Sequence, residues 1–160
     1  MADLTTLLAT EQAVRTAARD TISDMPQLMV FRDGSSAFQS VGTSFTTVQI
    51  NTVMLDNKAG WDAANYQWVV PETGTYQVLG KMRLVDGDLS GLGYSLGMDV
   101  GTNVSSAELF WGEGNKNRQS ISNPRTMILT KGDRLRLHAF VDRSTPVGIT
   151  AASLTAVRIA

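Results

Sequence analysis

The strongest constraint on what this chain can fold into is a change of hydrophobic period at Pro26. Before it, apolar residues recur at helical spacing; after it they alternate with polar ones, as in strands that bury one face. From Asp3 to Asp24 there is neither Gly nor Pro, and Ala, Leu, Gln, Glu and Arg recur, all good helix formers. Asp3 has the short acceptor side chain of an N-cap and suits the positive end of the helix dipole. Pro26 disfavours helical geometry at Met25, so the helix is expected to stop there. Leu4, Leu7, Val14, Ala18 and Ile22 form one stripe, with Leu8 beside it; Glu11 interrupts the stripe, and Ala17 and Ala18 keep it shallow. A lone helix of this length is marginal in water. The stripe therefore needs a partner: its own domain, copies of itself, or a larger assembly. These five residues are the expected oligomerisation set. The division expected is an assembly handle over residues 1–26 and a head over 27–160.

Beyond Pro26 the alternation is cleanest in "TYQVLGKMRLV", where Tyr76, Val78, Met82 and Leu84 share one face and Gln77, Lys81 and Arg83 the other. It recurs in "GYSLGMDVG", with Tyr94, Leu96, Met98 and Val100 inward against Ser95, Gly97 and Asp99. It recurs again in "DRLRLHAFV", with Leu135, Leu137, Ala139 and Val141 opposite Arg134, Arg136 and His138. Further strands are expected at Val48–Leu55, Tyr66–Val70, Ala107–Trp111, Arg125–Thr130 and Ala151–Ile159, separated by turns such as "DNKAG", "PETG", "VDGD" and "TKGD". No helix-length pattern lies between strands, which excludes βαβ crossovers. About eight evenly spaced strands with one-sided patterning predict an all-β antiparallel sandwich or jelly roll carrying a short N-terminal α-helix.

Composition narrows the function classes. Charged residues are only 18% of the chain, below the usual share of about 25%, and Gly, Thr, Ser and Asn fill the gap. The 14 basic and 15 acidic residues leave a net charge of -1, and no window supplies the basic face that nucleic-acid binding needs. There is no cysteine, which excludes disulfides and thiolate chemistry. No apolar run approaches the ~18 residues that span a bilayer, so no membrane insertion is expected. "MADLTTLLATEQ" lacks a basic segment followed by an apolar one, so no signal peptide is expected.

Two segments carry a resemblance. One is "VQINTVMLDNKAGWDAANYQWVVPETGTYQVLGKMRL", in which Pro71, Gly74 and Tyr76 open a strand as P-x-x-G-x-Y. The other is "MILTKGDRLRLHAF", in which Leu129, Gly132, Asp133, Leu135 and Leu137 form L-x-x-G-D-x-L-x-L, followed by "ASLTAVRIA". Together they resemble the globular-head jelly roll of the complement and tumour-necrosis-factor families, over roughly residues 36–160. Arg158 and Ala156 depart from the aromatic or aliphatic residues common in the family's last strand. The resemblance implies that this last strand closes the centre of its sheet, and that the head forms a homotrimer through apolar faces. Trp61, Tyr66, Trp68, Phe110 and Trp111 are candidates for the core or for the threefold axis. Read without the family, Pro71 sits between strands where no ladder bond is lost. Gly74 and Gly132 are expected to supply positive φ to turns, and Asp133 to cap local backbone donors.

Similar modules occur in bacteriophage virions, at fibre tips and on capsid surfaces, and the missing leader, missing cysteines and small helical handle fit that setting. Location in a virion, after synthesis in the host cytoplasm, is the corresponding expectation. The working reading is a virion structural protein of tail-fibre or minor-tail type. Its trimeric head is displayed to a host-surface receptor, with a glycan as the expected ligand, and the helix docks on other virion proteins. The alternative is a capsid decoration or head-fibre protein with a purely structural role. Binding usually lives on loops held by a rigid scaffold. The expected receptor contacts are therefore Asp86 and Asp88 in the loop 86–93 and Glu113, Asn115, Lys116 and Arg118 in the loop 112–118, with Trp111 at the end of the strand before it.

No catalytic constellation is legible, and no enzyme is expected. His138 is the single histidine, placed by its pattern on a strand's polar face as a solvated or interface residue. The serines have no nucleophile-elbow setting, and "DGDLSGLGYSLG" lacks the Lys-Ser/Thr of a phosphate loop. Asp86 and Asp88 offer oxygen ligands for calcium but not the full loop spacing, so neither metal nor cofactor is expected. Asn103-Val104-Ser105 fits a glycosylation sequon, which would have no consequence in a phage product. Carboxylate pairs for polysaccharide depolymerisation are not singled out by any motif.

Overall fold

The computed structural model describes residues 3–34, 38–85, 93–100, 108–113, 120–142 and 144–160. Helix α1 spans Leu4–Asp24. Its first turn is closed by Asp3, whose carbonyl accepts the Leu7 N–H at 3.1 Å and whose Oδ1 lies 3.5 Å from the Thr5 nitrogen. Pro26 then stands between the helix and β1 (Gln27–Arg32).

The strands that follow are β2 (Gln39–Val41), β3 (Thr46–Thr47), β4 (Thr52–Asp56), β5 (Trp61–Asp62), β6 (Gln67–Val69) and β7 (Gly74–Leu84). Then come β8 (Gly93–Val100), β9 (Glu108–Glu113), β10 (Ser120–Leu129), β11 (Arg134–Val141) and β12 (Val147–Arg158). They form two antiparallel sheets. The first runs β10-β7-β12-β1-β4, with β2 also on β12; the second runs β5-β6-β11-β8-β9, with β3 also on β11. The last strand lies in the middle of the first sheet, between β7 and β1, which is the jelly-roll closure the family resemblance implies.

Between the sheets lies one core. Tyr76, Val78, Met82 and Leu84 from β7 and Ile149, Leu154 and Ala156 from β12 meet Leu96, Met98, Leu135, Leu137, Ala139 and Val141 from the second sheet. The alternation that assigned the β7, β8 and β11 members of this set inward was therefore correct. Trp68 and Tyr76 join the sheets edge to face, with ring centroids 5.6 Å apart at 81°, the geometry the aromatic quadrupole favours. A Cβ on Gly80 would lie 2.5 Å from Leu137 Cδ1, so this glycine makes room for Leu137 of the opposing sheet. Asn123 is fully buried and donates from Nδ2 to the Leu96 carbonyl at 3.0 Å, a polar tie across the core.

Several sequence expectations need correction. Strands β1 and β2 were not among those expected, and β10 starts at Ser120 rather than Arg125. It runs through Pro124, which is accommodated because β10 is an edge strand, where a missing N–H costs nothing. Gly74 does not have positive φ; among the described glycines only Gly132 does, at 92°. What Gly74 provides is space, since a Cβ there would lie 2.5 Å from both the Ala160 carbonyl oxygen and Arg158 Nε. His138 is not solvated: it is fully buried, with Nδ1 3.3 Å from Thr47 Oγ1. Arg158 is not a packing fault, because its Nη1 pairs with Glu72 Oε2 at 2.7 Å while Ala156 is buried.

Gly132 sits in the turn before β11 as expected, and Asp133 Oδ2 accepts the Thr130 N–H at 2.7 Å. Open space surrounds its Cα, so Gly132→Ala meets no clash and only the left-handed backbone objects. A loss of about 1–2 kcal/mol is expected. Thermal unfolding followed by circular dichroism should then show a Tm lower by roughly 2–8 °C.

Candidate functional site

The outward face of the first sheet is unusually apolar for a free surface. Directly opposed residues in antiparallel strands share a face, so the register generates rows across the sheet. One row runs Leu55–Met29–Thr155–Leu79–Pro124 through β4, β1, β12, β7 and β10, spanning all five strands. Four of its five members are apolar. Leu55 and Met29 are 42% and 43% exposed, and near this row Ile128, Val157 and Ile159 are also open to solvent, Ile128 at 83%. Two shallow grooves flank it. One, of about 450 Å³, is lined by Gln77, Leu79, Thr126, Thr155 and Val157; the other, of about 540 Å³, by Phe31, Lys81, Arg83, Ser122 and Ser153. No acidic residue lines either groove among the described residues.

The second feature is the helix. Leu4, Leu7, Leu8 and Val14 are all more than half exposed, and Ala18 is exposed as well, so α1 does not pack on its own head. The side chain of Ile22 lies outside the described residues. Only the helix's last turn is anchored. Asn57, in the turn after β4, donates from Nδ2 to the Ser23 carbonyl at 3.2 Å and the Met25 carbonyl at 2.8 Å. Its Oδ1 accepts the Gln27 N–H at 2.8 Å. Helix ends leave carbonyls without partners, and here the head supplies one. Lys58 adds an ion pair to Asp24 at 2.6 Å and a longer one to Glu72 at 3.6 Å. The bond to Asp24 raises the Lys58 pKa above its ordinary value, and burial pushes Tyr76 up while its hydroxyl donates to the Glu72 carbonyl.

The sequence-derived sites fall as follows. Trp111 lies in β9, within the strand expected at Ala107–Trp111, whereas Glu113 is a strand residue rather than a loop residue; they pair in register with Ser95 and Gly93. Their side chains, and that of Phe110, lie outside the described residues, as do Asp86, Asp88, Asn115, Lys116 and Arg118 and the sequon at 103–105. Of the aromatic candidates for the threefold axis, Trp68 is in the core and Trp61 packs against it. None of the five is on the outward face of the first sheet, where Phe31 is the aromatic residue; they belong to the second sheet's strands and turns. Sequence reasoning missed Met29 and Leu55 in the outward row, although both lie in apolar runs. Their facing depends on strand register.

Two packed antiparallel sheets with the last strand central in the first give this chain a jelly-roll fold. Among solved structures it is similar to the globular domain of a zebrafish complement 1qA protein, at 16% identity and a TM-score of 0.65, covering 86% of this chain and 98% of that one. It is also similar to the vertex protein P5 of PRD1, at 15% identity and a TM-score of 0.61, covering 85% of this chain and 74% of that one. Murine APRIL is a further likeness, at 16% identity and a TM-score of 0.57, covering 85% and 100%. At these identities the likeness is one of fold. No family model and no curated protein matches the sequence.

Proposed function

We propose that this chain is a non-catalytic virion protein whose jelly-roll head assembles as a homotrimer and is mounted on the particle by its N-terminal helix. The observation that carries the reading is the apolar row across the first sheet, open in the single chain and continuous through five strands. Such a patch marks an interaction surface, and interfaces of obligate homo-oligomers commonly bury more than about 2,000 Å². The shared fold with a phage vertex protein supports the virion setting. In this reading the helix stripe of Leu4, Leu7, Val14 and Ala18 docks on other virion proteins, and the head's loops meet a host-surface glycan.

Light scattering coupled to size exclusion tests the assembly. A mass three times the 17.3 kDa of one chain is expected, and a monomer at micromolar concentration would refute the reading.

A purely structural decoration role is the second reading, favoured by the way Asn57 and Lys58 tie the helix end to the head. Among the described residues, none of the helix belongs to the core. Deleting residues 1–25 should therefore leave the head folded and trimeric by circular dichroism and light scattering, yet abolish incorporation into particles. Retained incorporation would exclude the helix as the mount.

A further inference from the structure

The second sheet carries a polar cleft on its outer side, away from the apolar row. It has a volume of about 480 Å³ and is lined by Asp62, Asn65, Tyr66, Gln67, Arg134 and Arg136. These residues come from β5, the turn into β6, β6 itself and β11, which pairs with β6 through Arg136 and Gln67.

Asp62 organises the cleft. Its Oδ1 accepts the backbone N–H groups of Ala64 at 3.1 Å and Asn65 at 3.3 Å; its Oδ2 accepts Asn65 Nδ2 at 2.7 Å and Gln67 Nε2 at 2.8 Å. The side-chain bonds from Asn65 and Gln67 hold its carboxyl below the usual carboxylate range. Because a carboxylate only accepts, each amide must turn its nitrogen toward Asp62 and its carbonyl oxygen away. Both amide oxygens are thereby left to accept from groups other than Asp62, in a lining that also includes Tyr66. Tyr66 adopts φ 51°, a left-handed conformation uncommon for a bulky residue, and backbone strain of this sort concentrates at ligand sites. Across the cleft Arg134 is exposed, while Arg136 stands opposite Asp99 of β8 in register.

We infer that this cleft binds a carboxylate-bearing sugar of an acidic polysaccharide. The Arg134 guanidinium pairs with the sugar carboxylate, Asn65 and Gln67 accept its hydroxyls, and Tyr66 flanks the ring. A planar guanidinium matches a carboxylate in two parallel bonds. Preplaced amide oxygens are suited to sugar hydroxyls, which must donate when they leave water. The inference rests on the proposed display of the head on a particle, since assembly through the first sheet leaves the second facing outward.

The test is calorimetric titration of the full-length protein with trigalacturonate and, as a neutral control, galactotriose. Trigalacturonate should bind roughly tenfold or more tighter, and Arg134→Gln should lower its affinity by roughly tenfold or more with an unchanged circular dichroism spectrum. Arg134→Lys should recover only part of the loss, because an ammonium lacks the two-pronged geometry. Equal affinity for the two sugars, undiminished binding by Arg134→Gln, or no binding at all would each overturn the inference. So would equally tight binding of dextran sulfate, which would indicate charge attraction alone. Light scattering on the same sample separates this from the assembly reading. A monomer that binds trigalacturonate sinks the trimer and keeps the cleft; a trimer that does not bind sinks the cleft alone.

Discussion

Leu79→Asp is expected to turn the proposed trimer into a folded monomer. Leu79 sits on the outward face of β7, between Thr155 and Pro124 in the apolar row, and is only partly buried in the single chain. An aspartate there keeps its hydration in the monomer. In the trimer it would have to be buried against the apolar row, at an effective cost of several kcal/mol per ion that Arg125, on the same groove, offsets only in part. Symmetry repeats that cost three times, so the association constant should fall by many orders of magnitude. Light scattering should read one chain mass of 17.3 kDa instead of three, with the β-sheet circular dichroism signal retained. The same substitution at the exposed Ile128 on the edge strand should weaken association less if Ile128 lies at the rim. A trimer that survives Leu79→Asp would place the interface elsewhere.

Trp68→Ala should be the most destabilising single change among the described residues. Trp68 is fully buried on β6 and joins Tyr76 across the two sheets. Its indole N–H has no acceptor among the described residues, so what is lost is packing rather than a hydrogen bond. Truncating a buried Trp typically costs about 3–5 kcal/mol, because the walls relax only partly into the cavity. For a domain of this size the Tm should drop by roughly 6–20 °C. Chemical denaturation should show a lower midpoint with little change of slope. A loss below about 1 kcal/mol would mean that the inter-sheet contact at Trp68 is not formed as described.

Much of the fold was legible in the residues. Period-two alternation placed Tyr76, Val78, Met82 and Leu84 inward correctly because a pleated strand leaves no other choice. Pro26 and Asp3 bounded the helix through backbone sterics and capping, both local effects. The reading failed where a residue's meaning depends on its neighbours in space. The strand expected from Arg125 starts at Ser120 and runs through Pro124, which an edge strand tolerates, and edge position is a property of the sheet. His138 lies on the formally polar face of β11 but is buried there, its Nδ1 beside Thr47. Asn123 falls on the inward phase of β10, yet its bond to the Leu96 carbonyl depends on the opposing sheet.

The candidate surfaces divide along the same line. The apolar helix stripe could be read from spacing alone, and so could its need for a partner. The apolar row could not, since Leu55, Met29, Thr155, Leu79 and Pro124 come from five separate segments. Only strand order and register bring them into line. The polar cleft has the same origin: Asp62 and Asn65 are near in sequence, but Arg134 joins them only because β11 pairs with β6. Sequence by itself determined which faces are apolar and where the helix starts and stops, because these follow from backbone geometry and local burial periodicity. Tertiary structure alone decided which faces meet and which stay open, because non-local strand pairing sets the neighbours of every side chain.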